Sequence, residues 1–438
     1  MPVRPHPTSQ DLLAYIGASP TPVHAVAETA RRLDAAGFSA LSEGDAWSLA
    51  PGDARYVIRG GTILALRVGT KPAAEAGFRI IGAHTDSPNL RLKPNPDLSA
   101  HGYRQLAVEP YGGLLAYTWL DRDLGLAGSV VLRDDSAPGR MTTRLVRVDR
   151  PILRIPTLAI HLDREVNSVG LKLDFQKHLP PILGLSGGGG EHLTGGGVKR
   201  LLAGELGVEP TAILSFDLAL YDTVPPAFGG VDSELIFSPR VDNQAMCHAG
   251  LAALLRAPAT PATQLLCLYD HEEVGSGSAT GAGGSMTVEL MRRLAEAEGP
   301  GATAGGLPRA AAHSWQISAD MAHALHPNHS DRHEPHHQPR LNGGPVIKVN
   351  NQQRYATTAE TAGLFEALCA DAGVPCQRFV TRSDLGCGST IGPISSAQLG
   401  VRTVDVGNPM LSMHSIRELC GAHDPEPMTA VMARFFAC

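Results

Sequence analysis

Lysine is scarce in this 438-residue chain, which holds six, at positions 71, 93, 172, 177, 199 and 348. Arginine carries most of the positive charge. Asp and Glu still outnumber Lys and Arg by 43 to 37, giving a net charge of −6 and a pI near 6.3. That balance leaves no basic surface for nucleic acid, so neither DNA nor RNA is expected as a partner. The seven cysteines include no Cys-x-x-Cys pair. They read as reduced thiols in a cytoplasm, serving as small core residues. No run approaches the roughly eighteen apolar residues that span a bilayer, so no membrane partner is expected. The stretch Met1 to Gln10 has no apolar core and does not read as a secretory signal. The glycine-rich stretch Gly184 to Gly197 lacks the Gly-Lys-Ser/Thr of a phosphate cradle and reads as a mobile surface loop.

What is present is a recurring pattern of apolar runs that end in metal-ligand side chains. Leu265-Leu266-Cys267-Leu268-Tyr269 runs into His271-Glu272-Glu273-Val274. Adjacent carboxylates at the end of a core strand have little reason to be there without a cation to pair with. Phe78 to Ala83 ends in His84-Thr85-Asp86, and the two-residue spacing suits a metal-bound imidazole steered by a carboxylate at its other nitrogen. Trp315 to Ala319 leads into Asp320-Met321-Ala322-His323, and Val401 to Val406 leads through Gly407 to His414. Asp242 stands just before a small-residue, helix-like segment from Gln244 to Leu255.

In open α/β sheets, ligands gather at the carboxyl ends of the strands, so these scattered residues can converge. Two His, two Asp and two Glu without any Cys fit two hard or borderline divalent ions in a hydrolytic centre. Spacing alone does not decide which of Glu272 and Glu273 binds metal. His323, His326, His329, His333, His336 and His337 form a His-rich stretch. It reads either as a metal-buffering tract or as a loop over the site mouth, with His323 and His326 as its substrate-facing members.

The length predicts two or three structural units, and 43% apolar residues suffice for packed cores. Helices are expected from Leu12 to Ile16, capped by Ser9-Gln10-Asp11, and from Val23 to Ala36. Between about Arg91 and Val231, short apolar stretches such as Leu114–Leu120, Ser129–Arg133, Arg144–Val148 and Ala212–Tyr221 alternate with turn residues, which predicts a mainly β insertion. Since ligand motifs flank it, the expected division is 1–90 and 232–438 for a discontinuous catalytic domain, with 91–231 inserted. Glu298 to Arg309 is expected to be a loose Gly/Ala/Pro connection.

Seven motifs occur in the order seen in the M18 metallopeptidases: His84 to Pro88, Pro239 to Asn243, His271 to Ser276, Ser318 to Ala324, Gly344 to Lys348, Gln353 to Thr357 and Met413 to Glu418. The chain resembles this family over almost its whole length, and within it the aspartyl aminopeptidases. The resemblance implies an α/β fold, with a mixed-sheet dinuclear zinc domain flanked by helices and an inserted, mainly β subunit-contact domain. It also implies that His84, Asp242, Glu273, Asp320 and His414 hold two divalent ions, zinc first, with cobalt or manganese also accepted. Asp242 would bridge the ions, Glu272 would be the general base and Asp86 the partner of His84.

By the same resemblance His161, from the inserted domain, completes a neighbouring subunit's site, and Lys348 and Tyr355 line the substrate pocket. The implied activity is removal of N-terminal Asp or Glu from peptides with a free amino terminus, by a cytoplasmic homo-oligomer, a tetrahedral dodecamer built of dimers. The alternatives are a neutral, Leu-type member or a related two-metal amidohydrolase on the same scaffold. A non-catalytic assembly protein is disfavoured by the intact Glu272.

Overall fold

The computed structural model describes residues 6–134, 136–186, 197–296 and 306–438. Most of the expected glycine-rich loop and of the expected loose connection, 187–196 and 297–305, lies outside the described residues. The chain divides into two compact units. One comprises Met1–Asp86, Pro226–Met413 and Glu418–Cys438; the other comprises Ser87–Pro225 and His414–Arg417.

The first unit is built on a nine-stranded sheet. Its spatial order is Ser39–Ala40, Ala54–Arg59, Thr62–Arg67, Thr263–Tyr269, Phe78–His84, Trp315–Ala319, Arg402–Gly407, Val346–Val349 and Gln377–Val380. The four strands from Thr263–Tyr269 to Arg402–Gly407 run parallel, and antiparallel pairs flank them, so the sheet is mixed. These strands are buried on both faces and read as nearly continuous apolar runs. The side chains alternate between two cores. Ile81, Ala83, Leu266 and Leu268 join the helices Pro7–Ala18, Pro22–Ala35, Val241–Arg256, Ala359–Asp371 and Pro425–Phe436. Phe78, Ile80, Leu265 and Cys267 face the helices Met286–Glu296, Gly306–Ala312 and Ile391–Leu399. A smaller five-stranded sheet orders Ala227–Gly229, Leu235–Ser238, Glu418–Gly421, Pro409–Leu411 and Ala322–His323.

Two helix starts differ from expectation. The first helix begins at Pro7, where the missing N–H costs nothing in the first turn, and His6 caps it by accepting from Thr8 N. Asp11 instead pairs with Arg32 and His248, each at 2.7 Å. The helix expected from Gln244 runs from Val241 to Arg256 but departs from helical dihedrals at Asp242 and Asn243. That irregularity sits at the predicted ligand.

The second unit is a six-stranded antiparallel sheet in the order Met141–Leu153, Leu124–Arg133, Ile213–Asp222, Asn89–Ala100, Tyr103–Tyr111 and Ile182–Leu185. Helix Gly197–Leu206 closes its core through Val198, Leu202, Ala203 and Leu206. The apolar stretch Leu114–Leu120 is a 3-10 turn at Ala116–Trp119 rather than a strand. Among the described residues, no helix is long and apolar enough to cross a membrane.

Candidate metal centre

The parallel pairing brings His84, Asp270 and Asp320 to the same edge of the sheet, because Tyr269 stands opposite His84 and Ser318 opposite Gly82. His84 is buried, and its two ring nitrogens have different surroundings. Nδ1 lies 3.0 Å from the Asp86 carbonyl and 3.4 Å from Asp86 Oδ1. Nε2 looks into carboxylates, with Asp242 Oδ1 at 3.4 Å, Asp320 Oδ1 at 3.5 Å and Glu272 Oε2 at 4.0 Å. One ligand atom from each of His84, Asp242 and Glu273 falls within 4.8 Å of the others.

Asp86 does more than orient His84. Its Oδ1 accepts from Glu272 N and its Oδ2 from Glu273 N, both at 3.1 Å. One fully buried carboxylate thus fixes the backbone of both glutamates. Around Asp242, Glu418 Oε2 accepts from the Asp242 backbone N–H at 3.1 Å. Asn243 Nδ2 donates to the Ala319 carbonyl at 2.8 Å. The Cys247 thiol donates to the His84 carbonyl at 2.9 Å.

The electrostatics show how strongly this cluster favours a cation. Burial alone would lower the His84 pKa, yet Asp242, Asp320, Asp86 and Glu272 together push it well above the ordinary imidazole range. The Glu272 carboxyl is pushed up to about 8, first by burial and then by Asp320, Asp242 and Asp86, with His84 opposing. Four carboxylates around one imidazole form a mixed N,O donor set that suits a divalent ion, which would replace the proton His84 otherwise keeps. The residues present therefore fit the expected metal.

The predicted pocket residues divide. His323, His326 and Tyr355 line a cavity of about 300 Å³ together with Phe379, Arg382 and Cys387. Lys348 is not among its lining residues; it is 2% exposed. Its Nζ lies 3.4 Å from Asp320 Oδ2, 3.2 Å from the Met321 carbonyl and 5.2 Å from the centre of the Tyr355 ring. His414 and His161 both belong to the second unit. His414 has φ 68°; its Nδ1 lies 3.0 Å from the Gly113 carbonyl, and its own carbonyl accepts from Leu115 N. His161 is exposed within a turn.

Two residues escaped the sequence reading as site elements. Asp405 is fully buried and accepts from Ser318 Oγ, Thr390 Oγ1 and Ala356 N, each at 2.6 Å, pinning the residue after Tyr355. Glu418 closes the Met413 to Glu418 motif, and its place there was the available signal.

The fold and cluster define a divalent-metal site on an α/β sheet, and comparison with known proteins narrows this. The family model described as aminopeptidase I zinc metalloprotease (M18) matches residues 15–436. "Probable M18 family aminopeptidase 2" from Streptomyces coelicolor is 48% identical over 431 residues, covering 98% of this chain and 97% of the relative. The Pseudomonas aeruginosa protein of that name is 48% identical over 430 residues, covering 98% of each. Among solved structures, the cryo-EM structure of the Ape4 and Nbr1 complex matches with a TM-score of 0.94 and 39% identity, covering 99% of this chain and 88% of that one. The S. cerevisiae mApe1 dodecamer matches with a TM-score of 0.85 and 29% identity, covering 98% and 96%. The chain belongs to the M18 metallopeptidase family and is a metal-dependent aminopeptidase.

Proposed function

We propose that the chain removes N-terminal acidic residues from peptides, with His84, Asp242, Glu273, Asp320 and His414 holding two zinc-class ions and Asp242 shared between them. Bound there, the ions would supply Lewis acidity toward the scissile carbonyl and ease the deprotonation of water. Glu272 takes the proton from the attacking water and returns it to the departing amine. The observation that carries this division of labour is the Asp86 clamp. It holds both glutamates by their backbone, with Glu273 offering a ligand atom within 4.8 Å of those of His84 and Asp242, and Glu272 Oε2 lying 4.0 Å from His84 Nε2. The raised Glu272 carboxyl suits a group that accepts and then releases a proton.

Lys348 is the cation proposed to read an acidic side chain, with Tyr355, His323 and His326 on the substrate side. Its ammonium has three N–H donors, and Asp320 and Met321 account for two. Metal capture by Asp320 would leave the Lys348 charge for a substrate carboxylate. That Lys348 is already ion-paired and lies off the cavity wall favours a second reading, a neutral aminopeptidase in which Lys348 only steadies Asp320.

Oligomerisation is part of the proposal. Leu158, Ile160 and Leu162 surround His161 and are all exposed, which suits a subunit contact, and mApe1 forms a dodecamer. His161 is read as completing a neighbour's site in such a dodecamer. Seven unbridged cysteines support a cytoplasmic setting. The deciding experiment compares hydrolysis of Asp-, Glu- and Leu-anilides by chelated protein reconstituted with zinc, cobalt or manganese. Acidic selectivity fails if the Leu substrate is the best of the three.

A further inference from the structure

Three parallel strands of the large sheet, Phe78–His84, Trp315–Ala319 and Arg402–Gly407, start in step. Trp315 stands opposite Arg79 on one side and Arg402 on the other. Residues in register share a face of the sheet, and the next row on this face is apolar, Ile81, Ile317 and Val404. A cation, an aromatic ring and a second cation thus open that face. The row lies at the opposite end of the strands from the metal centre. Arg79 is five residues from His84, roughly 16 Å along an extended strand.

The row borders a cavity of about 600 Å³ that Lys71 and His313 also line. Lys71 is fixed at its backbone, where its N–H donates to the Pro261 carbonyl at 3.2 Å. The Arg402 guanidinium lies over the Trp315 ring, 4.3 Å from its centre, and its Nη1 is 3.3 Å from Glu360. Arg79 is half-buried. Its hydrogen bonds, at 3.3–3.4 Å to the carbonyls of Ala76, Phe78 and His313, all leave from Nη1. That leaves the Nε and Nη2 edge, the side of a guanidinium that donates two parallel N–H bonds to an oxyanion. Burial pulls Arg79 below its ordinary range, with Cys438 opposing and Arg402 adding to the fall. The partly buried Arg32 goes the other way because Glu28 and Asp11 pair with it. Among the described residues, no Asp or Glu does this for Arg79.

We propose that this cavity binds a phosphate-class oxyanion, held by the Nε and Nη2 edge of Arg79 with the charges of Lys71 and Arg402 beside it. Three permanent cations line the cavity against the Glu75 carboxylate and the charge at Cys438, in a chain whose net charge is −6. A phosphate dianion offers two oxygens to the Arg79 edge and a second charge to Lys71 and Arg402. A single carboxylate would occupy the Arg79 edge and leave the other two cations uncompensated. No residue assigned to the metal centre or the substrate pocket lines this cavity.

The test titrates the full-length, metal-loaded protein with inorganic phosphate by calorimetry at low salt, beside the Arg79→Met, Arg79→Lys and Lys71→Met proteins. Phosphate taken up at the metal centre is common to parent and variants, so the difference between isotherms reads this cavity. The expected result is a binding event in the parent that weakens about 10- to 150-fold in Arg79→Met, the equivalent of one charge-assisted contact. Arg79→Lys keeps the charge without the fork and should fall between the two. A parallel titration with glycerol 3-phosphate distinguishes free from esterified phosphate by which binds more tightly. Lys71 is exposed, so Lys71→Met should fold and keep its anilide turnover while binding phosphate more weakly, which decides the matter if Arg79→Met does not fold. Identical isotherms for the parent and the variants overturn the proposal, as does a parent protein that binds no phosphate.

Discussion

Lys348 Nζ lies 3.4 Å from Asp320 Oδ2, so this lysine is ion-paired with a carboxylate that also faces His84. With Lys348 2% and Asp320 8% exposed, this pair is shielded from solvent, and removing one partner strands the other. Lys348→Met is expected to lower kcat/KM for an Asp substrate by about 10- to 150-fold relative to a Leu substrate, the equivalent of one charge-assisted contact. The Asp/Leu ratio before and after substitution is the readout. An equal fall for both substrates would assign Lys348 to holding Asp320.

Glu272→Gln keeps the shape of the side chain and the backbone N–H that Asp86 accepts. Turnover should fall about 100- to 10,000-fold with metal content unchanged, as for removal of a positioned base. Asp242→Ala should instead lose metal. Elemental analysis of both proteins beside their activity separates base from ligand, and a metal-depleted Glu272→Gln protein would make Glu272 a ligand.

Asp86→Asn replaces one of two acceptor oxygens with an amide that faces a backbone N–H. Metal affinity should drop about 10- to 100-fold, the usual cost of losing a residue that orients a ligand. Competition with a zinc-chelating dye gives the number. Unchanged affinity would mean that the glutamates are held by other contacts.

Asp424 supplies a pH test outside the centre. Burial pushes its carboxyl up to about 7 from 3.8, against the opposing N–H groups of Asn342 and Gly344. A raised carboxyl keeps its proton in the folded state after the unfolded chain has lost it, so its contribution to stability falls as pH rises from about 4 to about 7. Asp424→Asn should therefore gain thermal stability relative to the parent protein as pH rises through that window, by up to about 4 kcal/mol. Melting curves at pH 5 and pH 8 show it, and a difference that does not vary with pH would place the native carboxyl in its ordinary range.

His161 gives a test of subunit sharing. Neither His161→Ala nor Glu272→Gln protein should be active alone, whereas mixed oligomers should recover activity if His161 serves a neighbour's site. Mixing after reversible dissociation and assaying the reassembled fraction provides the measurement. Failure to recover any activity, with exchange verified by mass, would count against a shared site.

The mixed sheet between helices was legible because each central strand is an apolar run stopped by a polar cluster, and six of the flagged residues, His84, Asp86, Asp242, Glu272, Glu273 and Asp320, sit in one contiguous network. What stayed hidden depends on register between distant strands. That Asp86 grips Glu272 and Glu273, that Asp405 ties Ser318 to Ala356, and that Lys348 turns toward Asp320 all follow from which residues stand opposite one another, and no local spacing reports it. Asp11 was misread as a cap for a related reason: its partners, Arg32 and His248, come from other helices.

The strand Phe78–His84 pairs on one side with Thr263–Tyr269 and on the other with Trp315–Ala319, both encoded after the Ser87–Pro225 unit. A ribosome therefore releases an apolar strand with both edges bare and must add nearly two hundred residues before either neighbour exists. At about 5–20 residues per second that wait is roughly ten to forty seconds. Unpaired edges of this kind recruit other chains. Synthesis, rather than the finished fold, is thus where this protein is most exposed to aggregation, and slowing translation after Tyr269 should matter less than slowing it between Asp86 and Thr263.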